Sequence, residues 1–369
     1  MPVSLSDPAA QTAAVETVAQ RVGHLVGRSK GNLSVLQAVE SALRIPAARP
    51  EFVRLFWGDT KKFPDADLLA DCVEHGVPIR VAAGSNIDEA FAYGNHRSAD
   101  PYASTILSKI YDDVRLGRAF VLPRASASLI PGLRISPLGA VVSPEKVRII
   151  HDLSFDFSGR SPSVNSDTDF ASAPPVELGD VLKHFVWRIL YLRGRWPQGR
   201  IVLSKMDVAE AFRQVKVAWD GNQSFAYAFG DWVVVDRRLM FGWRNSPGYF
   251  CLFSSALKHV HTSTTPSTAA ISDTGARDTA HVVVSPASAG EQPAPLPPEC
   301  RTPSGAGGDV DDPFHVEYYI DDAILAEIQH HSDGRRCLQS SAALASTHHR
   351  LFGRRRPEDP PILAERKVS

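Results

Sequence analysis

The 369-residue sequence is 43% apolar and 22% charged, within the range of globular proteins that bury a sizeable core in one or two domains. Its 40 basic and 41 acidic residues leave a net charge of −1, which excludes bulk attraction to a polyanion and leaves only a local basic groove for that purpose. Cys72, Cys251, Cys300 and Cys337 are scattered without CxxC pairing, and no run approaches the ~18 apolar residues of a membrane span, so a soluble chain in a reducing, intracellular setting with no membrane partner is expected.

Residues 1 to about 75 alternate helix-like stretches, such as Val35 to Leu43 and Pro64 to Glu74, with Pro and Gly breaks, and carry no chemical motif. Ile106, Leu107, Ile110, Tyr111 and Val114 recur at helical spacing until Gly117 stops them, which predicts an amphipathic helix over 101–115. Two short apolar runs, Gly139 to Val142 and Val147 to Ile150, separated by Ser143, Pro144 and Glu145, predict a hairpin. Pro174 to Arg193 reads as a helix, Arg200 to Met206 as a buried strand delivering Asp207 at its end, and Ala209 to Gln214 as a tight turn into helix.

Further on, Trp232 to Val235 reads as a strand, Ser246 to His259 as a helix opened by a Ser-Pro pair, and Val316 to Ala326 as a strand pair. Strands and helices are mixed rather than regularly alternating, so the fold class expected is α+β with an antiparallel sheet packed on helices. The Ser-, Thr-, Ala-, Pro- and Gly-rich stretch Thr262 to Pro313 has few large apolar residues to offset the entropy of ordering and is expected to be a flexible insertion. No internal repeat suggests a solenoid.

Three Asp-Asp pairs occur. Asp112 and Asp113 follow Tyr111 at helical spacing and read as a solvated helix face, while Asp311 and Asp312 beside Gly307, Gly308 and Pro313 read as a linker turn. Asp321 and Asp322 differ, because Glu317 to Ile320 and Ala323 to Leu325 make a β-prone apolar setting in which unpartnered carboxylates are costly. A hairpin with the acids at its tip resolves the conflict, although a lone pair of this kind is more often a plain solvated turn. Asp207, at the end of an independent strand, is the acid that could join them.

In chain order, KVRIIHDLS, MDVAEAF, FGWRNSPGYF and YYIDDAIL resemble the fingers motif and the first three palm motifs of reverse transcriptases, over roughly Asn95 to Lys367, with an LTR/DIRS-like retrotransposon enzyme as the nearest type. The resemblance implies fingers over about 95–200 and a palm over 201–369 interrupted at about 262–313, preceded by a helical region, 1–94, of open role. It implies that Asp207, Asp321 and Asp322, with Val208, hold two Mg2+ ions, Mn2+ being the alternative, ~3.5–4 Å apart for phosphoryl transfer. Tyr319, Val208, Ala211 and Phe241 are implied as substrate-binding, as is Gly242, whose missing Cβ allows close backbone approach. Phe212, five residues after Asp207, matches the aromatic position that excludes a ribose 2′-hydroxyl, which points to a deoxynucleotide and away from an RNA-dependent RNA polymerase. Met240 departs from the Pro usual in the second motif.

Lys146 and Arg148 match the basic positions that neutralise the triphosphate, with exposed hairpin charge as the bland reading, and Asp152 matches an acid that steadies the hairpin. Asn95, His96, Arg97 and Ser98 resemble the family's entry segment. Arg188, Arg193, Arg195 and Arg200, interleaved with Trp187, Tyr191 and Trp196, read first as a solvated helix face with core aromatics and second as a template-backbone contact. The His pairs 330–331 and 348–349 read as surface residues. Lys367 matches the lysine near the leaving pyrophosphate. The chain ends at Ser369, ahead of the family's last palm hairpin, thumb and often an RNase H domain, so the thumb is expected to be absent or truncated. Two functions follow: an RNA-directed DNA polymerase acting on an RNA or DNA template with primer and dNTP, or a truncated retroelement remnant that at most binds nucleic acid.

Overall fold

The computed structural model describes residues 6–28, 63–82, 84–144, 146–157, 161–176, 178–197, 199–218, 221–265, 269, 312–329, 335–352 and 363–365. In chain order the principal elements are α1 (Pro8–Arg28), α2 (Ala66–Glu74), α3 (Ile87–Tyr93), α4 (Ala103–Arg115), β1 (Ala119–Pro123), β2 (Leu138–Ser143), β3 (Lys146–His151), α5 (Val181–Arg195), β4 (Arg200–Val208), β5 (Ala226–Phe229), β6 (Trp232–Asp236), α6 (Ser246–Thr262), β7 (Val316–Tyr319), β8 (Asp322–Gln329), α7 (Arg335–Phe352) and β9 (Leu363–Glu365). Among the described residues, each ladder between these strands is antiparallel, so the chain is α+β with helices mixed among antiparallel sheets. Two compact units emerge, one of 1–47, 71–174 and 212–249, the other of 48–70, 175–211 and 250–369.

The first unit is built on the sheet β1-β6-β5 and the hairpin β2-β3. Alternation along β1 and β6 sends Phe120, Leu122, Val233 and Val235 to one apolar layer and Ala119, Val121, Trp232 and Val234 to the other, so both faces are covered. α1 closes both layers, placing Val22 and Val26 in one and Val15 and Ala19 in the other, and Trp232 Nε1 donates to Glu16 at 2.5 Å. The β2-β3 hairpin forms as the apolar runs predict, with Ser143 opposite Lys146. Its base is held by the 95–98 segment: Leu138 N–H donates to Asn95 Oδ1 (2.8 Å), Ala140 N–H to Ser98 Oγ (3.1 Å), and His96 Nε2 contacts Asp152 at 3.1 Å.

Asp113 corrects the solvated-face reading. It is 2% exposed on α4, beside Arg213 at 2.9 Å and Lys109 at 3.3 Å, and Tyr111 is equally buried. Lys109 is a local partner at i,i+4, but the deciding partner, Arg213, lies far along the chain, where helical spacing does not reveal it.

The second unit is built on the sheet β7-β8-β4-β9. α5 begins at Val181, seven residues after the predicted start at Pro174, and packs on the sheet through Phe185, Ile189, Leu192 and Trp196 against Ile201, Ala326 and Ile328. Trp187 and Tyr191 are not core aromatics, since each is about half exposed. Glu327, fully buried on β8, accepts from Arg336 Nε (2.9 Å), Ser340 Oγ (3.1 Å) and His315 N–H (3.0 Å). His348 and His349 are buried on α7, against the surface reading: His348 Nδ1 donates to the Leu344 carbonyl at 2.8 Å and its Nε2 accepts from Tyr318 OH at 3.1 Å. His330, His331, Asp311, residues 270–311 of the expected insertion, and the stretch Val35 to Leu43 lie outside the described residues.

Candidate active site

In the second unit, the β4–β8 ladder places Asp207 directly opposite Asp322, and the β7–β8 ladder places Tyr319 opposite the same Asp322. The two strands of the hairpin are joined by Ile320 and Asp321 alone, and the Asp321 carbonyl accepts the Val208 N–H at 3.0 Å. Asp207, Val208, Asp321, Asp322 and Tyr319 are thereby gathered at one end of the sheet. The predicted strand extends two residues beyond Met206, and Met206 and Val208 are buried on the face opposite Asp207. That alternation anchors the strand through one face while Asp207 stays half-exposed on the other.

The turn is strained. Ile320 adopts φ 56, a left-handed conformation normally left to Gly, and Glu210, three residues after Asp207, adopts φ 51. Among the described residues these are the non-glycine positions with positive φ, and both flank the acids. Such backbone costs ~1–3 kcal/mol and concentrates at functional sites.

Lys205, on the same face of β4 as Asp207, reaches diagonally to Asp322 Oδ2 at 2.7 Å. Asp322 Oδ1 is buried and has no hydrogen-bond partner. An orphaned hard acceptor of this kind suits a divalent cation, and it is one oxygen toward the magnesium that the motifs imply. Among the described residues, no group of three or more His, Cys, Asp or Glu side chains is placed to hold a metal ion.

The first unit holds Phe212, Phe241, Gly242, Lys146 and Arg148. Phe212 is 7% exposed and its ring centroid lies 4.5 Å from that of Phe241, which is 55% exposed. Gly242 has φ +106, and a Cβ there would sit 2.9 Å from the His151 carbonyl oxygen. Lys146 and Arg148 are exposed and, two residues apart on β3, share one face of the hairpin. Ala211, assigned to the second unit, is buried at the start of the helical turn Ala211–Gln214. Lys367 lies outside the described residues.

No protein-family model and no curated protein matches the chain significantly. Solved structures resemble it at low identity. Native prototype foamy virus protease-reverse transcriptase is 13% identical with a TM-score of 0.37, over 73% of this chain and 24% of that one. The foamy viral protease-reverse transcriptase dRH in complex with double-stranded DNA is 13% identical with a TM-score of 0.39, over 82% and 41% respectively. The same enzyme in complex with an RNA/DNA hybrid is 14% identical with a TM-score of 0.38, over 80% and 31%. The chain therefore spans less than half the length of each.

Sequence reasoning missed Asn165, which braces the Gly242 loop. Its Nδ2 donates to the Gly242 carbonyl at 2.6 Å, and its Oδ1 accepts from Arg244 N–H at 2.9 Å. Trp243 Nε1 donates to Thr168 at 3.0 Å and Asn245 Nδ2 to the Asp169 carbonyl at 2.9 Å, so three successive contacts fix the loop after Phe241. Nothing in the run SVNSDTD marks it as a brace for a loop about 77 residues away. His151, whose carbonyl abuts Gly242, is held neutral, because burial pushes its imidazole down to about 4 while Nε2 donates to the Ala226 carbonyl at 3.0 Å.

Proposed function

We propose that this chain is the polymerase portion of an RNA-directed DNA polymerase of an LTR/DIRS-like retroelement, extending a primer on an RNA or DNA template with deoxynucleotides inside the cell. The observation that carries the reading is the alignment of Asp207 with Asp322 across β4–β8, with Asp321 in a strained turn whose carbonyl is fixed by Val208. Asp207, Asp321 and Asp322, with Val208, would hold the metal. When bound, two magnesium ions activate the attacking hydroxyl and neutralise charge on the triphosphate.

The protein's own residues then have separate tasks. Lys146 and Arg148 offer exposed cationic donors for phosphate oxygens, Arg through its fork. Phe212, backed by Phe241, supplies a rigid wall against a 2′-hydroxyl. Gly242 lets the main chain approach the substrate, with Tyr319, Ala211 and Lys367 as further contacts. The fingers-and-palm division belongs to the same reading.

A nucleic-acid-binding remnant without turnover is the second reading, favoured by the Lys205 ammonium seated on Asp322. Primer extension on RNA and DNA templates separates the two. Magnesium-dependent incorporation that Asp321→Asn abolishes supports the enzyme, and none by the parent chain defeats it. Phe212→Ala should admit ribonucleotides.

A further inference from the structure

The turn that carries Phe212 is fixed by the next residue. Arg213 is 4% exposed, and its guanidinium contacts three separate places in the first unit. One nitrogen lies 2.9 Å from Asp113 Oδ1 on α4, another meets Asp236 at the end of β6, and the latter also meets Met240 Sδ at 3.1 Å. Met240 immediately precedes Phe241, so a single guanidinium ties the residue after Phe212 to the residue before its ring partner. Both acids are almost fully buried.

Such a cluster is a poor device for stability alone. Desolvating a cation and two carboxylates costs about as much as their attraction returns, and apolar replacements of similar volume are often neutral or better. What the cluster does supply is direction, since one nitrogen of the planar fork pairs with Asp113 while another meets both Asp236 and Met240, which few orientations allow. Burial opposes the charge on Arg213, but Asp113 and Asp236 outweigh it and hold the guanidinium protonated.

We propose that Arg213, clamped between Asp113 and Asp236, is the positioning residue for sugar selection, acting by holding the Phe212 ring against Phe241. The inference rests on the polymerase reading and deepens it. Arg213 need not touch the nucleotide. A lysine in its place keeps the charge but cannot span both acids and Met240, so the turn loosens and Phe212 drifts from Phe241.

The test measures kcat/KM for matched deoxy- and ribonucleotides on one template with the wild-type chain, Arg213→Lys and Asp113→Asn. Discrimination against the ribonucleotide should fall about tenfold in each variant, inside the ~10²-fold that a misplacement of about 1 Å can cost. A purely structural role would lower the melting temperature and leave the ratio unchanged. A folded, active Arg213→Lys with wild-type discrimination overturns the inference alone. Should that variant fail to fold, Asp113→Asn, which keeps Arg213 and Asp236, decides by the same ratio. No incorporation by the wild-type chain overturns the polymerase reading and this inference with it.

Discussion

Asp207 and Asp322 face each other across an antiparallel ladder, two acids where a sheet would ordinarily place complementary partners. Like charges directly opposite are destabilising by ~0.2–1 kcal/mol, and the Lys205 contact to Asp322 offsets part of that. Asp207→Asn should therefore abolish magnesium-dependent incorporation while raising the unfolding free energy by that order, read as a higher urea midpoint. A variant that loses activity and stability together would show that Asp207 serves the fold rather than the chemistry.

Ile320 carries the second cost. A β-branched residue at positive φ pays ~1–2 kcal/mol that Gly avoids, whereas Gly adds ~0.5–1 kcal/mol of unfolded-state entropy. Ile320→Gly should be neutral to slightly stabilising in chemical denaturation, by up to about 1 kcal/mol. Incorporation should nevertheless fall, because the freed turn no longer fixes the Asp321 and Asp322 carboxylates. Marked destabilisation would mean that the Ile320 side chain is held by packing and that the turn stores no strain.

The strand pair bearing these acids was legible in the sequence because local signals agreed: β-prone apolar residues on both sides, two adjacent acids between them, and a second strand ending on Asp207. The β2–β3 hairpin was legible for the same reason. Asp113 and His348 were misread because each is buried by partners far along the chain, Arg213 and Tyr318, and spacing records only neighbours. Asn165 escaped for the complementary reason, since a polar residue on a loop looks like any other until the loop it braces is beside it.

Gly242 tests the second motif separately from the acids. Its φ of +106 and the 2.9 Å approach that a Cβ would make to the His151 carbonyl leave no unstrained place for another residue. The neighbour is backbone, which cannot rotate away. Gly242→Ala should cost about 1–3 kcal/mol and shift the loop that Asn165 holds. The matching activity change is a raised KM for the nucleotide, and an unaltered KM in a destabilised protein would remove Gly242 from the substrate site.

The buried histidines of the second unit give stability a pH dependence with a definite sign. Burial, reinforced by His348 and His315, holds the His261 imidazole down to about 3, and burial holds His348 down to about 4. Once unfolded, both take up protons as the pH falls through about 6.5. Between the folded and unfolded values the unfolded chain binds more protons, so acidification favours unfolding. The stability is fully present above about 6.5 and is lost as the pH falls toward 4, by about 1.4 kcal/mol per pH unit for each histidine well inside that window. Geometry agrees for His348, whose Nε2 accepts from Tyr318 OH and would have to surrender that bond on protonation. Denaturation midpoints measured from pH 7.5 down to 5, above the carboxylate range, should fall steadily. His348→Gln should remove about one histidine's share of the slope, and an undiminished slope in that variant would mean that His348 is already protonated in the folded protein.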